Sequence, residues 1–284
     1  MVHNNGLSTE PKVIAELGPG DSLGIGLAGL LCGADKYYAL DVVKYANTQV
    51  NLDIFEELVL LLNKKEPIPD EQEFPRVRPL LESYEFPHHI LTDDRLQQSL
   101  RNERIDAIRN ALANLSNSSK NDIEIRYFVP WYDSNVINKE SIDMIFSQAV
   151  LEHVEALPET YKALYQWLKP DGFMSHQIDF GCHGLAKHWN GHWGYPDFMW
   201  KLVKGKRPFL LNREPYSTHN RLLRESGFET IHEIKITDKP RITKNTLSYR
   251  LRNMSSDDSV TRGVYILARK KQGKDEYCHS SVSS

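Results

Sequence analysis

The feature that most constrains the fold of this chain is an apolar, β-branched run that ends in a glycine-rich turn. The run is Val13–Leu17, and Gly18, Pro19 and Gly20 follow it directly. A short apolar run that stops at glycine and proline is typical of a buried parallel strand ending in a tight turn. Residues 22–32 are small and apolar, which predicts a helix packed closely on the sheet.

A second apolar run, residues 38–40, follows this helix and ends on Asp41. In nucleotide-binding α/β folds, an acidic residue at the end of this strand bonds the ribose hydroxyls. The turn, the helix and the acid occur in the order that such a fold requires. Together they predict a nucleotide-type ligand.

The residues around the turn indicate which ligand of that type fits. A dinucleotide fingerprint reads Gly-x-Gly-x-x-Gly, whereas Gly18, Gly20 and Gly24 have the spacing Gly-x-Gly-x-x-x-Gly. The carboxylates of Glu16 and Asp21 flank the loop, and they would repel a pyrophosphate. They suit a ligand that carries an ammonium and a sulfonium group on a ribose, and S-adenosyl-L-methionine (SAM) is such a ligand.

Several segments resemble the class I SAM-dependent methyltransferases. They are Glu16-Leu-Gly-Pro-Gly20, Asp41, residues 142–154 and Leu168-Lys-Pro-Asp-Gly172. The similarity extends over roughly residues 13–271, with a gap over about 45–122. It implies a doubly wound, Rossmann-like α/β sheet of seven strands, parallel with one antiparallel strand, and a helical insertion after strand two. It also implies methyl transfer from SAM, with S-adenosyl-L-homocysteine as the product.

The resemblance further implies a set of cofactor-binding residues at the ends of the strands. They are Glu16, Gly18, Pro19, Gly20, Asp41, Val42, Val129, Trp131, Ser147 and Gln148. Val129 and Trp131 come at the end of the predicted third strand, residues 123–129, and are candidates for the adenine slot. A tryptophan packed in the core is the alternative interpretation of Trp131.

Composition limits the other function classes. The net charge is -3, and the longest basic cluster is residues 201–207, so we expect no nucleic-acid surface. Cys32, Cys182 and Cys278 lack Cys-x-x-Cys spacing, which favours neither a disulfide framework nor a zinc knuckle and makes a reducing cytoplasm the expected location. No apolar run approaches the roughly 20 residues that span a bilayer, so we expect no membrane span.

We expect one elaborated domain over residues 1–271, because the 284-residue chain shows no internal repeat. Within it, residues 66–120 are longer than the usual connection between two strands. Residues 93–115 predict one or two amphipathic helices, and we interpret the insertion as a helical cap over the substrate side. A decorative or oligomerising insertion is the alternative, which leaves the oligomeric state open and includes a homodimer.

The remaining elements follow from apolar periodicity and turn residues. Residues 143–147 predict the fourth strand, 159–168 a helix opened by Pro158 and ended by Pro170-Asp-Gly172, and 173–180 the fifth strand. A helix over 217–226 is predicted to be capped by the Ser217 hydroxyl. Residues 228–236 and 260–269 predict the last two strands, with a mobile loop over 239–257, and the Ser-rich residues 272–284 predict a disordered tail.

Residues 181–205 combine histidines and aromatic residues with glycines, which suggests an acceptor pocket. The candidates for substrate binding are His188, Trp189, His192, Trp193 and Tyr195. Aromatic residues that hold a loop against the core are the alternative. We expect no metal, because Gly191 lies between His188 and His192 and no His-Glu-x-x-His motif is present. This segment weakly resembles methyltransferases of bacterial glycan or secondary-metabolite pathways, which implies a small-molecule or saccharide acceptor.

A hydroxyl acceptor needs a base, and a histidine can take its proton near neutral pH. His153 is the first candidate because it follows strand four, and His176 and His183 near the end of strand five come next. A structural histidine is the alternative for each. Two other functions remain open from the sequence: an NAD(P)-dependent Rossmann oxidoreductase and a non-catalytic SAM-binding protein.

Overall fold

The fold is built from seven strands and eight helices in the part of the chain that the structure describes. This computed structural model describes residues 1–74, 79–115, 122–131, 133–207 and 209–271, so the tail predicted over 272–284 lies outside the described residues. The strands are β1 (Val13–Leu17), β2 (Lys36–Leu40), β3 (Glu124–Phe128), β4 (Ile142–Gln148), β5 (Leu168–Asp179), β6 (Phe228–Thr237) and β7 (Thr261–Lys270). The helices are α1 (Gly24–Leu31), α2 (Thr48–Lys64), α3 (Asp93–Ser99), α4 (Asn102–Ala113), α5 (Leu157–Trp167), α6 (Asp197–Lys204), α7 (Tyr216–Glu225) and α8 (Ser256–Val260).

The strands form one sheet in the order β3-β2-β1-β4-β5-β7-β6. The first five strands in this order, from β3 through β2, β1 and β4 to β5, pair in parallel. Strand β7 pairs antiparallel with both β5 and β6. The chain starts at β1, moves outward to β3 and then returns to β4 on the other side of β1. This topology confirms the predicted doubly wound, Rossmann-like sheet with one antiparallel strand.

Alternation along the strands divides the core between the two faces of the sheet. On β1, Ile14 packs with α1, α2 and α4, whereas Ala15 packs with α5 and α7. Helix α1 lies close to the sheet because Gly26 has no side chain. A Cβ atom at Gly26 would lie 2.0 Å from the Tyr37 ring. The predicted close packing of this helix is therefore confirmed.

Helix α5 ends at Trp167, one residue before the predicted end, with Pro158 in its first turn and Pro170 two residues after its C-cap, Leu168. Leu168 already pairs with β4 as the first residue of β5, so this strand begins earlier than predicted. One local prediction is wrong. The Ser217 hydroxyl does not cap α7, because the N-cap position is Pro215. Ser217 instead donates a hydrogen bond of 2.8 Å to the Asp258 carboxylate, which ties α7 to α8.

The loop predicted over residues 239–257 is more ordered than its polarity suggests. It contains 3-10 turns at Lys244–Thr246 and Tyr249–Leu251 and runs into α8. Leu251 and Met254 are buried in the core between α5, α7 and the sheet. Ile242 and Leu247 also pack against this core, so four apolar side chains anchor a segment that is otherwise polar.

The helices of the insertion do not lie where the substrate cap is predicted. The Arg95 side chain of α3 donates hydrogen bonds to the Thr9 carbonyl at 2.6 Å and to the Cys32 carbonyl at 2.9 Å. In α4, Arg104 forms an ion pair with Asp35 at 3.1 Å. These partners precede β1 and β2, so both helices contact the amino end of the sheet.

Helix α4 also completes one helical layer, with Ile105, Ile108 and Leu112 buried against α1 and α2. The prediction of a cap is therefore wrong for α3 and α4, since ligands of a doubly wound sheet bind at the carboxyl ends of the strands. Residues 75–78 and 116–121 of the insertion lie outside the described residues. The assignment of residues 1–271 to a single domain stays a prediction. No described helix is long and apolar enough to cross a bilayer.

Candidate active site

A cavity of about 780 Å³ opens at the carboxyl ends of the parallel strands. Its walls include Gly18 and Gly20 after β1, Asp41 and Val42 after β2, Trp131 after β3, and His153 after β4. Ligand pockets typically measure roughly 300–1,000 Å³, and doubly wound sheets bind ligands at the point where the strand order reverses. That point lies between β1 and β4, so the fold brings these six predicted residues to one ligand-sized cavity.

The glycine turn and Asp41 are joined by hydrogen bonds. One Asp41 carboxylate oxygen accepts from the Gly20 N–H at 3.1 Å, and the other accepts from the Val42 N–H at 2.7 Å. Gly18 and Gly20 have φ values of 62° and 72°, in the left-handed region that favours glycine. Asp41 is buried, and its carboxylate therefore has a fixed position beside the turn.

Glu16 lies two residues before Gly18 of this turn and does not line the cavity. The Tyr37 hydroxyl donates a hydrogen bond of 2.6 Å to its carboxylate. Burial raises the pKa of Glu16 to about 7, although the Tyr37 hydrogen bond opposes this shift. The carboxyl group is therefore about half ionised at neutral pH, which weakens the argument that its charge repels a pyrophosphate. Asp21 is exposed beside it.

The other predicted cofactor residues fall into two groups. Trp131 lines the cavity and packs edge-on against Trp167, with ring centroids 5.6 Å apart. Pro19, Val129, Ser147 and Gln148 are not cavity-lining residues. Ser147 is buried and bonded to a neighbouring strand, whereas Gln148 is exposed. Their roles stay predictions.

The three candidate histidines have different environments. His153 lines the cavity, and its Nδ1 atom lies 2.9 Å from the Phe209 carbonyl. Since a carbonyl only accepts hydrogen bonds, Nδ1 carries the proton and Nε2 is left as an acceptor. Burial, with a contribution from His183, lowers the pKa of His153. The rings of His153 and His183 lie 5.2 Å apart.

His176 does not join this pair. It is 1% exposed, and its Nδ1 atom lies 2.7 Å from the Ser147 hydroxyl on the adjacent strand β4. Burial lowers the pKa of His176 to about 3. A neutral, buried histidine on a central strand fits the structural alternative better than the catalytic one.

Glu152 is the residue that the sequence analysis misses. It is 3% exposed, and burial raises its pKa to about 8. The backbone N–H groups of Glu152 and Asp179 approach its carboxylate without completing a hydrogen bond, and both oxygens are unpaired within the described chain. Its position next to His153 after strand four is the signal that could have identified it.

The turn that carries Glu152 and His153 is fixed from outside by Asn212. The Asn212 side chain donates hydrogen bonds of 2.8 Å to the carbonyls of Leu151 and Val154, and its backbone N–H donates one of 2.8 Å to the Glu152 carbonyl. These bonds hold a short 3-10 turn, Leu151–His153, against the segment before α7. The two side chains therefore have defined positions.

Four of the five predicted substrate-binding residues pack in an aromatic cluster with Trp200 of α6, and none of the five lines the cavity. Trp193 is 1% exposed and His192 is 2% exposed. Trp189 donates a hydrogen bond of 2.9 Å to the Lys239 carbonyl, and the Tyr195 hydroxyl donates one of 3.0 Å to the Leu185 carbonyl. His188 is half-buried. This packing fits the alternative in which aromatic residues hold the segment against the core, and substrate binding stays a prediction.

Comparison with known proteins gives a family for this fold and cavity. A family model described as a methyltransferase domain matches residues 38–233, which is more than half of the 284-residue chain. The comparison with curated proteins gave no match.

Three solved structures illustrate the similarity. A SAM-dependent methyltransferase from Methanosarcina mazei is 13% identical, with 96% of this chain and 97% of that chain covered and a TM-score of 0.47. A SAM-dependent methyltransferase from Mesorhizobium loti is 11% identical, with 95% of each chain covered and a TM-score of 0.42. Phosphoethanolamine N-methyltransferase 2 from Haemonchus contortus is 12% identical, with 96% of this chain and 51% of that chain covered and a TM-score of 0.46.

Proposed function

Because the chain belongs to the methyltransferase-domain family of class I SAM-dependent enzymes, we propose that it transfers the methyl group of SAM to a hydroxyl oxygen of a small-molecule or saccharide acceptor. The observation that carries the proposal is the fixed Asp41 carboxylate beside the Gly20 turn, at the wall of a ligand-sized cavity. A carboxylate at this position can accept hydrogen bonds from both ribose hydroxyls.

In this proposal SAM lies along the cavity from Trp131 towards His153. Asp41 would hold the ribose and Trp131 would contact the adenine, and His153, on the same cavity wall, would lie near the methyl group. His153, with its Nε2 atom available, takes the proton of the acceptor hydroxyl. The oxygen lone pair then forms the new O–CH₃ bond, and the electrons of the broken S–CH₃ bond remain on sulfur as a thioether.

Alignment of the acceptor oxygen, the methyl carbon and the sulfur contributes more to the rate of methyl transfer than removal of the acceptor proton does. Holding two reactants in line supplies on the order of 7–11 kcal/mol in favourable cases, whereas a general base contributes roughly 10²–10⁴-fold in rate. Of the three candidate histidines, His153 is favoured by its place at the cavity wall, and His183 lies beside it. Of the five residues predicted to bind substrate, the partly exposed His188 and Trp189 are retained as the proposed contacts for a saccharide ring, because Trp193 and His192 are buried.

Cofactor binding is tested with Asp41→Asn and a matched control, Asp35→Asn. The two aspartates flank the same strand, but Asp35 lies at its amino end, away from the cavity. Charge-assisted hydrogen bonds are worth roughly 1.5–3 kcal/mol each. We therefore expect calorimetry to show at least about tenfold weaker SAM binding by Asp41→Asn and no change for Asp35→Asn.

Equal SAM affinity in the two variants would contradict the role of Asp41. Calorimetric titration of the wild-type protein with NADH tests the oxidoreductase alternative. That alternative requires that NADH bind and that SAM not bind.

Methyl transfer is tested with His153→Asn and His88→Asn. An asparagine at position 153 can still donate a hydrogen bond to the Phe209 carbonyl, but it lacks the Nε2 acceptor. We expect roughly 10²–10⁴-fold slower release of S-adenosylhomocysteine in the presence of hydroxyl acceptors, with unchanged SAM affinity. His88 is exposed and outside the cavity, so its variant serves as the control. SAM binding without transfer to any hydroxyl, thiol or amine acceptor in a broad panel would favour the non-catalytic alternative.

A further inference from the structure

Three potential metal-ligating side chains meet where the turn after β4 approaches the loop after β5. Glu152, His153 and His183 each offer one ligand atom, and these atoms all lie within 4.8 Å of one another. Glu152 and His153 come from the 3-10 turn after β4, and His183 lies four residues after the last residue of β5. The sequence predicts no metal because it points only to His188 and His192, which lie outside this group.

The buried carboxylate of Glu152 forms no hydrogen bond with the described residues that would offset the cost of its burial. Both oxygens are unpaired, although the side chain is 3% exposed. A buried polar group without a hydrogen bond costs roughly 1–3 kcal/mol, and a charged one costs more. Such a group indicates a bound ion, an ordered water or a functional role. One carboxylate oxygen lies within 4.8 Å of a ring nitrogen of His153 and of a ring nitrogen of His183. A neutral imidazole has one nitrogen without a proton, and that nitrogen can bind a metal.

One ring nitrogen of each histidine contacts an oxygen atom of a residue outside the group. Nδ1 of His153 lies 2.9 Å from the Phe209 carbonyl, and Nε2 of His183 lies 3.3 Å from an Asp179 carboxylate oxygen. Metal-ligating histidines characteristically donate their second N–H to a backbone carbonyl or a carboxylate. His153 has the carbonyl contact, and His183 has a carboxylate contact at ion-pair distance. Nε2 of His153 and Nδ1 of His183 are not engaged in these two contacts.

The backbone at His183 is also held in an uncommon conformation. Its φ is 47°, in the left-handed region that few residues other than glycine adopt. Gly184, with a φ of 81°, continues the turn. The hydrogen bond from the Gly181 N–H to Asp179 at 2.7 Å holds the other end of this loop. The loop thus directs the His183 ring towards His153 at some conformational cost.

We propose that Glu152, His153 and His183 bind one divalent transition-metal cation beside the acceptor end of the SAM cavity. One carboxylate and two imidazoles form a ligand set that suits Zn²⁺, Co²⁺ or Fe²⁺ better than Mg²⁺, which prefers oxygen ligands. Three protein ligands leave a fourth position open, as in catalytic metal sites. His153 lines the cavity, so the open position can face the acceptor.

The three side chains need only a small adjustment to close on a cation. Ligand atoms about 2.1 Å from a tetrahedral metal lie roughly 3.5 Å from one another. The observed limit of 4.8 Å therefore requires movements of about 1 Å. His183 is partly exposed, so its ring has room to move and the cation has a route from solvent.

The role of the cation in turnover rests on the proposed function, whereas the binding itself does not. A cation that binds the acceptor hydroxyl lowers the pKa of that hydroxyl, so that its proton can leave to solvent water before the oxygen attacks the methyl group. In the metal-bound enzyme His153 acts as a ligand, and in the metal-free enzyme it is available only as a base. The metal content therefore decides between these two roles of one side chain.

The test is calorimetric and spectroscopic titration of chelator-treated full-length protein with Co²⁺, without SAM or acceptor. We expect one Co²⁺ per chain and visible absorption bands typical of low-coordinate nitrogen and oxygen ligation. Glu152→Gln and His183→Asn should each weaken binding at least about tenfold, because each removes one of three ligands. Gln preserves the shape of Glu152, and Asn tolerates the left-handed backbone at position 183, so melting curves should confirm that both variants fold. His88→Ala removes an exposed histidine and should bind like the wild type.

Binding that is equally strong in wild type, Glu152→Gln and His183→Asn, or that is lost in His88→Ala, overturns the site. A second measurement follows methyl transfer after chelation, and we expect loss of turnover and recovery with Co²⁺ or Zn²⁺. Full turnover by chelated enzyme overturns the catalytic role of the cation and leaves the histidine-base proposal in place. Failure of SAM binding in the unmodified enzyme contradicts the proposed function without affecting the Co²⁺ titration.

Discussion

At the scale of single residues, Gly20 allows two reasons for a glycine to be distinguished: the left-handed backbone conformation and the space that a ligand requires. Its φ of 72° is disfavoured for any residue with a Cβ atom, but that atom would meet no protein atom within 4 Å. The side chain of an alanine at this position would therefore point into open space at a residue that lines the cavity. Neither packing nor a steric clash inside the protein requires glycine here.

We predict that Gly20→Ala weakens SAM binding at least about tenfold while it lowers folding stability by only about 1–2 kcal/mol. The matched control is Gly6→Ala, because Gly6 has a φ of 69° and also has open space at its Cβ position, but lies near the N-terminus. Calorimetry gives the affinities, and urea unfolding gives the stabilities. A similar loss of SAM affinity in both variants would show that backbone strain, rather than contact with the cofactor, causes the effect.

The limits of sequence reasoning are also clearest for individual side chains. Gly18, Gly20 and Asp41 could be assigned to one cavity because strand ends and a turn fix their places. The proximity of Glu152 to His183 could not be predicted in this way. His183 follows a different strand, and its position depends on its own left-handed backbone conformation, which no local sequence pattern indicates. His176 was a candidate on the same reasoning as His153, but alternation along β5 directs it into the core.

At the scale of elements, Arg95 connects the insertion to the body of the molecule. Its guanidinium donates hydrogen bonds to the carbonyls of Thr9 and Cys32, at the amino end of the sheet, and to the Ile90 carbonyl within the insertion. Removing it leaves these carbonyls without their charged donor. Hydrogen bonds to charged groups contribute roughly 1.5–3 kcal/mol, which makes this side chain the main polar connection of α3.

We predict that Arg95→Ala lowers the free energy of unfolding by about 2–3 kcal/mol and leaves SAM affinity unchanged. The control is Arg101→Ala, since Arg101 is an exposed arginine just before α4 whose side chain, among the described residues, bonds only the nearby Gln98 carbonyl. Urea unfolding and calorimetry on both variants give the comparison. Weaker SAM binding by Arg95→Ala would mean that the insertion acts on the cavity after all, as a substrate cap would.

The strands and most helices could be predicted from periodicity, because a central parallel strand is a continuous apolar run and an amphipathic helix repeats every three to four residues. The location of α3 and α4 could not. Their apolar faces are visible in the sequence, but which end of the sheet they contact is set by Arg95 and Arg104 through partners more than sixty residues away in the chain. Sequence periodicity contains no information about such pairs.

At the scale of the whole molecule, buried histidines make stability depend on pH. Burial lowers the pKa of His176 and of His219 to about 3, from an ordinary value of 6.5. Below pH 6.5 the unfolded chain takes up protons at these positions and the folded chain does not. Their contribution to stability is therefore complete above pH 6.5 and is lost progressively as the pH falls towards 3. Glu16 has the opposite effect. Its pKa is raised from 4.5 to about 7, so as the pH rises through this range the unfolded chain loses the proton more readily than the folded chain, and the folded state becomes less stable.

We predict that His219→Gln reduces the loss of stability on acidification. Each such histidine contributes a slope of up to about 1.4 kcal/mol per pH unit, so between pH 6.5 and about 5 the variant should lose roughly 2 kcal/mol less than the wild type. Urea unfolding across this range measures the difference, and Glu16 cancels because both proteins contain it. Parallel stability curves for the two proteins would contradict the assignment of His219 as a buried neutral group.

The distribution of the cavity walls along the chain has an evolutionary consequence. Apart from Phe209, all of the described lining residues precede residue 164. Substitutions, insertions and deletions in the later part of the chain can therefore alter other surfaces while the cavity proposed to bind SAM, the methyl donor, is inherited unchanged. Descendants of one ancestor should then diverge most in the segments after β5, and exchanging those segments between relatives should produce chimaeras that keep the donor and differ in the acceptor.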